Sequence, residues 1–102
     1  MSALEVLSLS VNNISTLKDV QNCYNLKELY LRKNSISDIN EIRYLQPLRR
    51  LKILWLGENP IADIPGYRLF VLKCLPQIEK LDNDNVSADE KSKAEYVDID
   101  DF

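Results

Sequence analysis

Apolar residues recur along this chain on a fixed template. The stretch Leu51 to Ile61, LKILWLGENPI, reads L-x-x-L-x-L-x-x-N-x-I. The same template stands at Leu4 (LEVLSLSVNNI) and at Leu26 (LKELYLRKNSI), so the three openings lie 22 and 25 residues apart. The fourth and sixth positions are leucines throughout: Leu7 and Leu9, Leu29 and Leu31, Leu54 and Leu56. The ninth is Asn12, Asn34 or Asn59, and the eleventh is Ile14, Ile36 or Ile61.

Each copy has a physical reading. In L-x-L the two leucines of a short strand face one side and the residue between them faces the other. The Asn follows where the strand must turn away, and its amide both donates and accepts, so it satisfies backbone groups freed by the turn. One such coil cannot bury its apolar edge alone, and neighbours must stack on it. A period of this length with these occupants is the leucine-rich-repeat signature. The predicted fold is therefore α/β: a leucine-rich-repeat solenoid with a short parallel sheet on its concave face and a C-terminal helical cap.

Between the second and third copies Ile36, Ile39, Ile42, Leu45 and Leu48 fall at every third residue, which suits 3₁₀ turns on the convex side. After Ile61 the pattern changes. Asp63-Ile64-Pro65-Gly66 reads as a helix entry. Tyr67, Phe70, Val71, Cys74 and Leu75 then follow helical spacing, up to Pro76. Ile78 and Leu81 suggest a last partial strand, and Ser87-Ala88-Asp89-Glu90 a capping box opening a short helix from Ala88 to about Glu95. The expected organisation is three repeats over 4–61, a helical cap over 62–96 and an acidic tail over 97–102. Val6 to Ser10 is expected to form an exposed edge able to pair with another chain.

With 102 residues, 45% apolar and 28% charged, this is one small globular unit. No apolar run approaches the length of a membrane span, and the residues ahead of Leu4 carry no signal-peptide pattern, which favours the cytoplasm. Cys23 and Cys74 stand among apolar neighbours and read as buried thiols rather than a bridge. Net charge is −3 and unevenly placed: residues 1–81 carry 11 Lys/Arg against 8 Asp/Glu, and residues 82–102 carry 2 against 8. That balance speaks against a nucleic-acid binder.

The candidate working surface is the concave face. Its outward positions form the rows Val6, Glu28, Ile53; Ser8, Tyr30, Trp55; and Ser10, Arg32, Gly57. Tyr30 and Trp55 fall side by side with Arg32 and Ile53 near, and aromatics with Arg are what protein interfaces concentrate. Glu28, Tyr30, Arg32, Ile53 and Trp55 are therefore the expected partner-binding residues, the aromatics as anchors and the two charges as orienting groups. Arg43, Arg49, Arg50 and Lys52 read as a solvated convex edge. Asp82-Asn83-Asp84-Asn85 fails the calcium-loop pattern at Val86, Ser87 and Lys93 and reads as a turn. With no His, no Gly-rich phosphate loop and scattered carboxylates, catalysis, a metal and a cofactor are not expected.

The repeats resemble the short intracellular leucine-rich repeats of the phosphatase-regulator type. NPIADIPGYRLFVLKCLPQIEKLDNDNVSADE resembles the cap shared by the spliceosomal A-prime protein, axonemal dynein light chain and acidic nuclear phosphoproteins. More narrowly, LEVLSLSVNNISTL, LKELYLRKNSI, LKILWLGENP and YRLFVLKCLPQIEKLDNDNVS look like the cilia- and flagella-associated members, at Val11, Tyr30-Leu31-Arg32, Leu54-Trp55-Leu56 and Leu81-Asp82-Asn83 above all. That resemblance implies a non-enzymatic adaptor at ciliary basal bodies whose repeats engage a NIMA-related kinase. The alternatives are a splicing-type ribonucleoprotein scaffold and a phosphatase or motor regulator, both using the same concave face.

Overall fold

Three parallel strands follow from the three L-x-L steps: β1 (Val6–Ser8), β2 (Glu28–Tyr30) and β3 (Ile53–Trp55). A computed structural model describes residues 3–101 of the chain. The strands pair in the register the template dictates, Leu7 with Leu29 and Leu29 with Leu54. β4 (Lys80–Leu81) continues the sheet in parallel, and β5 (Asp84–Asn85) folds back antiparallel on β4. The sheet order is the sequence order, β1 to β5. Phe102 of the expected acidic tail lies outside the described residues.

The core is the stacked leucines. Leu29, Leu31, Leu54, Leu56 and Leu81 are fully buried, as are Leu26, Leu51 and Ile78 at the repeat openings. Fully burying such a side chain contributes about 1.5–3 kcal/mol, so these rows dominate the stability of the sheet. The first coil contributes less, because Leu4, Leu7, Leu9 and Ile14 only partly leave the solvent. On the convex side a 3₁₀ segment, Ile39–Leu45, carries the predicted three-residue period, with Ile39, Ile42 and Leu45 all buried.

The asparagines form the expected ladder. Asn34 donates to the Leu31 and Leu9 carbonyls (2.9 and 3.0 Å) and accepts from the Ile14 amide at 3.1 Å. Asn59 repeats this one coil on, donating to Leu31 and Leu56 (both 2.9 Å) and accepting from Ile36 at 3.2 Å. Each rung ties its own coil to the preceding one. Between strand and rung the backbone turns left-handed at Val11, Lys33 and Glu58, with φ of 58°, 61° and 60°. That conformation is disfavoured for residues with a Cβ. The Val11 and Lys33 amides nonetheless lock to Arg32 and Gly57 carbonyls at 2.9 Å.

The cap is entered where the sequence placed its helix entry, at Asp63-Ile64-Pro65-Gly66. Pro60 opens a 3₁₀ turn, Pro60–Asp63, and α1 spans Tyr67–Cys74 with Gly66 at its N-cap. The chain needs φ of 84° at Gly66 to swing into the helix, which a residue without a Cβ adopts cheaply. Pro65 thus stands just ahead of the first turn of α1. Tyr67, Phe70, Val71, Cys74 and Leu75 are all buried, as their spacing predicted. Burial raises the Cys74 thiol to about 11 against the opposing pull of Arg43. Both cysteines are free and buried.

α2 (Ala88–Ala94) begins at the Ser87 cap, whose hydroxyl accepts from the Glu90 amide at 3.1 Å. Glu90 then takes both ends of the Arg68 guanidinium, at 3.0 and 3.2 Å, and Arg68 also donates to the Leu81 carbonyl. One arginine thereby ties α1, β4 and α2 together. That bidentate bond, with the charge of Arg68, holds the Glu90 carboxyl below its ordinary value. A lowered folded-state value stabilises above the unfolded carboxylate range and is lost as pH falls through the folded value. We expect chemical-denaturation midpoints to drop below about pH 4.3, and Glu90→Gln to flatten that part of the profile; an unchanged profile would rule out the pair as a contributor.

The last described turn, Ile99–Asp101, packs back on the fold. Arg43 donates to the Ile99 carbonyl at 2.9 Å and to the Asp100 carboxylate at 3.1 Å. The basic convex edge is thereby spread among separate contacts, since Arg50 reaches Asn25 and Lys52 lies 3.8 Å from Glu79.

Candidate protein-binding face

The pleat sends one side chain of each strand centre into the core and its two neighbours to the concave side. Pairing of Glu28 with Ile53, and of Tyr30 with Trp55, sets those residues in adjacent rows. The Tyr30 and Trp55 rings lie 6.0 Å apart between centroids and tilt by 53°. That is a favourable tilted aromatic pair, within the 4.5–7 Å range such pairs prefer. Both rings are half-buried, and so are Glu28, Arg32 and Ile53. All five expected residues therefore share one surface.

Their electrostatics are less open than the sequence suggested. The Tyr30 hydroxyl donates to the Glu28 carboxylate. This bond, more than burial, raises the Tyr30 phenol above its usual value. Arg32 donates to Glu58 of the next coil at 2.8 Å. Glu28 and Arg32 thus brace the face, and a partner that used their charges would have to share or displace those contacts. Both members of the Arg32–Glu58 pair are substantially exposed, so the exchange is inexpensive.

Sequence reasoning stopped the rows one strand early. Lys80 on β4 pairs with Ile53, which extends the first row to Val6, Glu28, Ile53 and Lys80. Asp82, the next residue after β4, follows the Trp55 row. Its carboxylate accepts from the Leu56 and Gly57 amides at 2.7 and 2.8 Å, and from the Tyr67 hydroxyl at 3.1 Å. In earlier coils the amide equivalent to that of Leu56 bonds the next strand, Leu9 to the Tyr30 carbonyl and Leu31 to the Trp55 carbonyl. Asp82 therefore replaces a missing strand partner and closes the ladder. The signal was available: Ile78 and Leu81 match the first and fourth template positions, and counting on from them reaches Asp82.

A separate half-open groove of about 330 Å³ lies between α1 and α2, lined by Leu72, Lys73, Pro76, Lys91, Ala94 and Glu95. It does not reach the aromatic pair. Among the described residues no helix is long and apolar enough to cross a membrane.

The family model described as leucine-rich repeat matches residues 1–98. The chain belongs to the leucine-rich-repeat family. Within that family it is similar to cilia- and flagella-associated protein 410 of Homo sapiens, 50% identical over 96 residues, which is 92% of this chain and 38% of the human protein. The Mus musculus protein of the same name is 48% identical over 96 residues, 92% of this chain and 39% of its own length. This leucine-rich-repeat chain thus spans about two fifths of the length of those relatives. Among solved structures the Drosophila melanogaster SNF/U2A' complex superposes with a TM-score of 0.84 at 23% identity, over 90% of this chain and 54% of that one. The Mex67 leucine-rich-repeat domain of Chaetomium thermophilum gives 0.74 at 24% identity, over 90% and 65%. At those identities the likeness is one of fold.

Proposed function

We propose that this chain is the partner-binding domain of a non-enzymatic ciliary adaptor, cytoplasmic and acting at the basal body, which engages a NIMA-related kinase through its concave face. The observation that carries the reading is the Tyr30–Trp55 pair. Two large aromatic rings lie outside the core, side by side and tilted on the face of the sheet, flanked by Ile53 and by the Arg32–Glu58 pair. Half-exposed aromatics held in place by neighbours supply large contact area at little entropic cost, which is what hot spots require. The ciliary assignment and the kinase rest on the similarity to cilia- and flagella-associated protein 410 and on the residues that carry it, LKELYLRKNSI and LKILWLGENP.

The binding reading predicts a separation between affinity and stability. Trp55→Ala should weaken kinase binding by roughly a hundredfold, the loss typical of a hot-spot aromatic. The melting temperature should move only slightly, because Trp55 stands on the opposite face from Leu54 and Leu56. Calorimetric titration beside a thermal melt reads both. A variant that unfolds places Trp55 in the structural core and removes it from the interface; unchanged affinity removes the concave face from the mechanism.

A further inference from the structure

We propose that the concave face selects a partner segment carrying an acidic side chain, whose carboxylate seats on Lys80 while a neighbouring apolar side chain packs on the Tyr30–Trp55 pair. The inference rests on the binding reading above and adds the chemistry that the partner must present. Lys80 is the one charged group of this face that meets no counterpart. Glu28 accepts the Tyr30 hydroxyl, and Arg32 donates to Glu58. Asp82 is held by the Leu56 and Gly57 amides and by the Tyr67 hydroxyl. The Lys80 ammonium has neither a hydrogen bond nor an ion pair among the described residues. Ile53 pairs with Glu28 on one side and Lys80 on the other, so it separates the two opposite charges of that row.

Position and surroundings suit this lysine to act together with the aromatic pair. Leu81 is buried, so Lys80, its neighbour on β4, stands on the concave side beside Ile53. Strand spacing and rise put Lys80 and Trp55 about 8 Å apart on the diagonal between Cα atoms. Two nearby side chains of one partner segment span that distance. Lys80 is half-buried, an arrangement in which the stem covers apolar surface and the ammonium reaches outward. A carboxylate docked there, with Ile53 and Trp55 beside it, is shielded from water, and the attraction is stronger than between two fully exposed charges. Asn85 on β5 pairs with Lys80 in antiparallel register and is exposed on the same face. Its amide adds an uncharged donor for the second carboxylate oxygen. The acceptors that would welcome a partner's Lys or Arg are already engaged, at Glu28, Glu58 and Asp82. The face therefore favours an acid at this point and repels a base.

Selection of a random-peptide display library on the immobilised chain tests this without presupposing the kinase. Peptides retained by wild type and lost on Trp55→Ala should be enriched in Asp or Glu close to an aromatic or aliphatic residue. With Lys80→Glu as bait the apolar preference should persist and the acidic preference should turn to Lys or Arg. Lys80→Met keeps the apolar stem and removes the charge, so the acidic preference should vanish while the apolar one stays. For an acidic peptide selected on wild type, Lys80→Met should weaken binding by about tenfold, and Lys80→Glu by more. Melting curves of the Lys80 variants should match wild type, because the side chain lies opposite the core. Trp55-dependent peptides with no acidic preference, or with one that both Lys80 variants leave unchanged, overturn the proposal and leave the concave face as the binding surface. A selection that yields no Trp55-dependent peptide overturns the proposal and the binding reading together.

Discussion

Asn59→Ala should cost about 3–5 kcal/mol, most of the stability a domain of this size can spare. Asn59 is 2% exposed. Its amide serves three buried backbone groups: the Leu31 and Leu56 carbonyls and the Ile36 amide. Truncation takes the side-chain partner from the Leu56 carbonyl and the Ile36 amide, and leaves the Leu31 carbonyl with its bond from Asn34 alone. The penalty for an orphaned buried group is about 1–3 kcal/mol, larger than the net gain from forming the bond, so the loss exceeds what a count of bonds suggests. For about 100 residues this corresponds to a melting shift of roughly 15–30 °C. Asn12 has the same template position but is exposed and bonds only its own coil, to the Leu9 and Ser10 carbonyls. Asn12→Ala should change stability by no more than about 0.5 kcal/mol. Parallel thermal and urea melts check the contrast, and equal effects at the two positions would refute the ladder as the source of stability.

Asp82→Ala comes second, at about 2–4 kcal/mol. Asp82 is the acceptor on which the parallel ladder ends, holding two backbone amides of the third coil and the Tyr67 hydroxyl of α1. Burial, the nearby carboxylate charge and this bond together push the Tyr67 phenol well above its usual range. Removing the carboxylate unties strand from helix, and Ala must also hold the left-handed φ of 58° that Asp tolerates better. Asp82→Asn keeps the amide-facing oxygen and the tolerance for that φ, so its cost should be near 1 kcal/mol. A carboxamide as damaging as alanine would mean that charge, rather than acceptor geometry, secures the end of the parallel ladder.

How much of this was legible in the sequence follows from the kind of contact involved. The strands, their register and the buried leucines were readable because an eleven-position template repeats and each repeat must stack on the last. The roles of Asn34 and Asn59 were readable for the same reason. The left-handed turns at Val11, Lys33 and Glu58 were not, since none is Gly or Asn, and at Val11 and Lys33 the conformation goes with amide bonds to the next coil. β4 was legible as the partial strand at Ile78 and Leu81, but its antiparallel return, β5 at Asp84–Asn85, was hidden because a two-residue strand leaves no periodicity. At the candidate site the adjacency of Tyr30 and Trp55 came directly from register. The engagement of Glu28 by Tyr30 and of Arg32 by Glu58 did not, because long side chains choose partners by reach and rotamer, which spacing does not encode. The folding back of Ile99 under Arg43 is illegible for a similar reason: apolar residues and aspartates are mixed over too short a stretch to carry a pattern.

The most direct test of the binding account is affinity capture from ciliated-cell extract, wild type beside the Tyr30→Ala/Trp55→Ala double variant, read by quantitative mass spectrometry. The account predicts that a NIMA-related kinase is recovered by wild type and lost with the double variant, while both baits remain folded. Recovery of the same proteins by both baits would contradict the concave site, and recovery of spliceosomal proteins in place of the kinase would contradict the ciliary assignment.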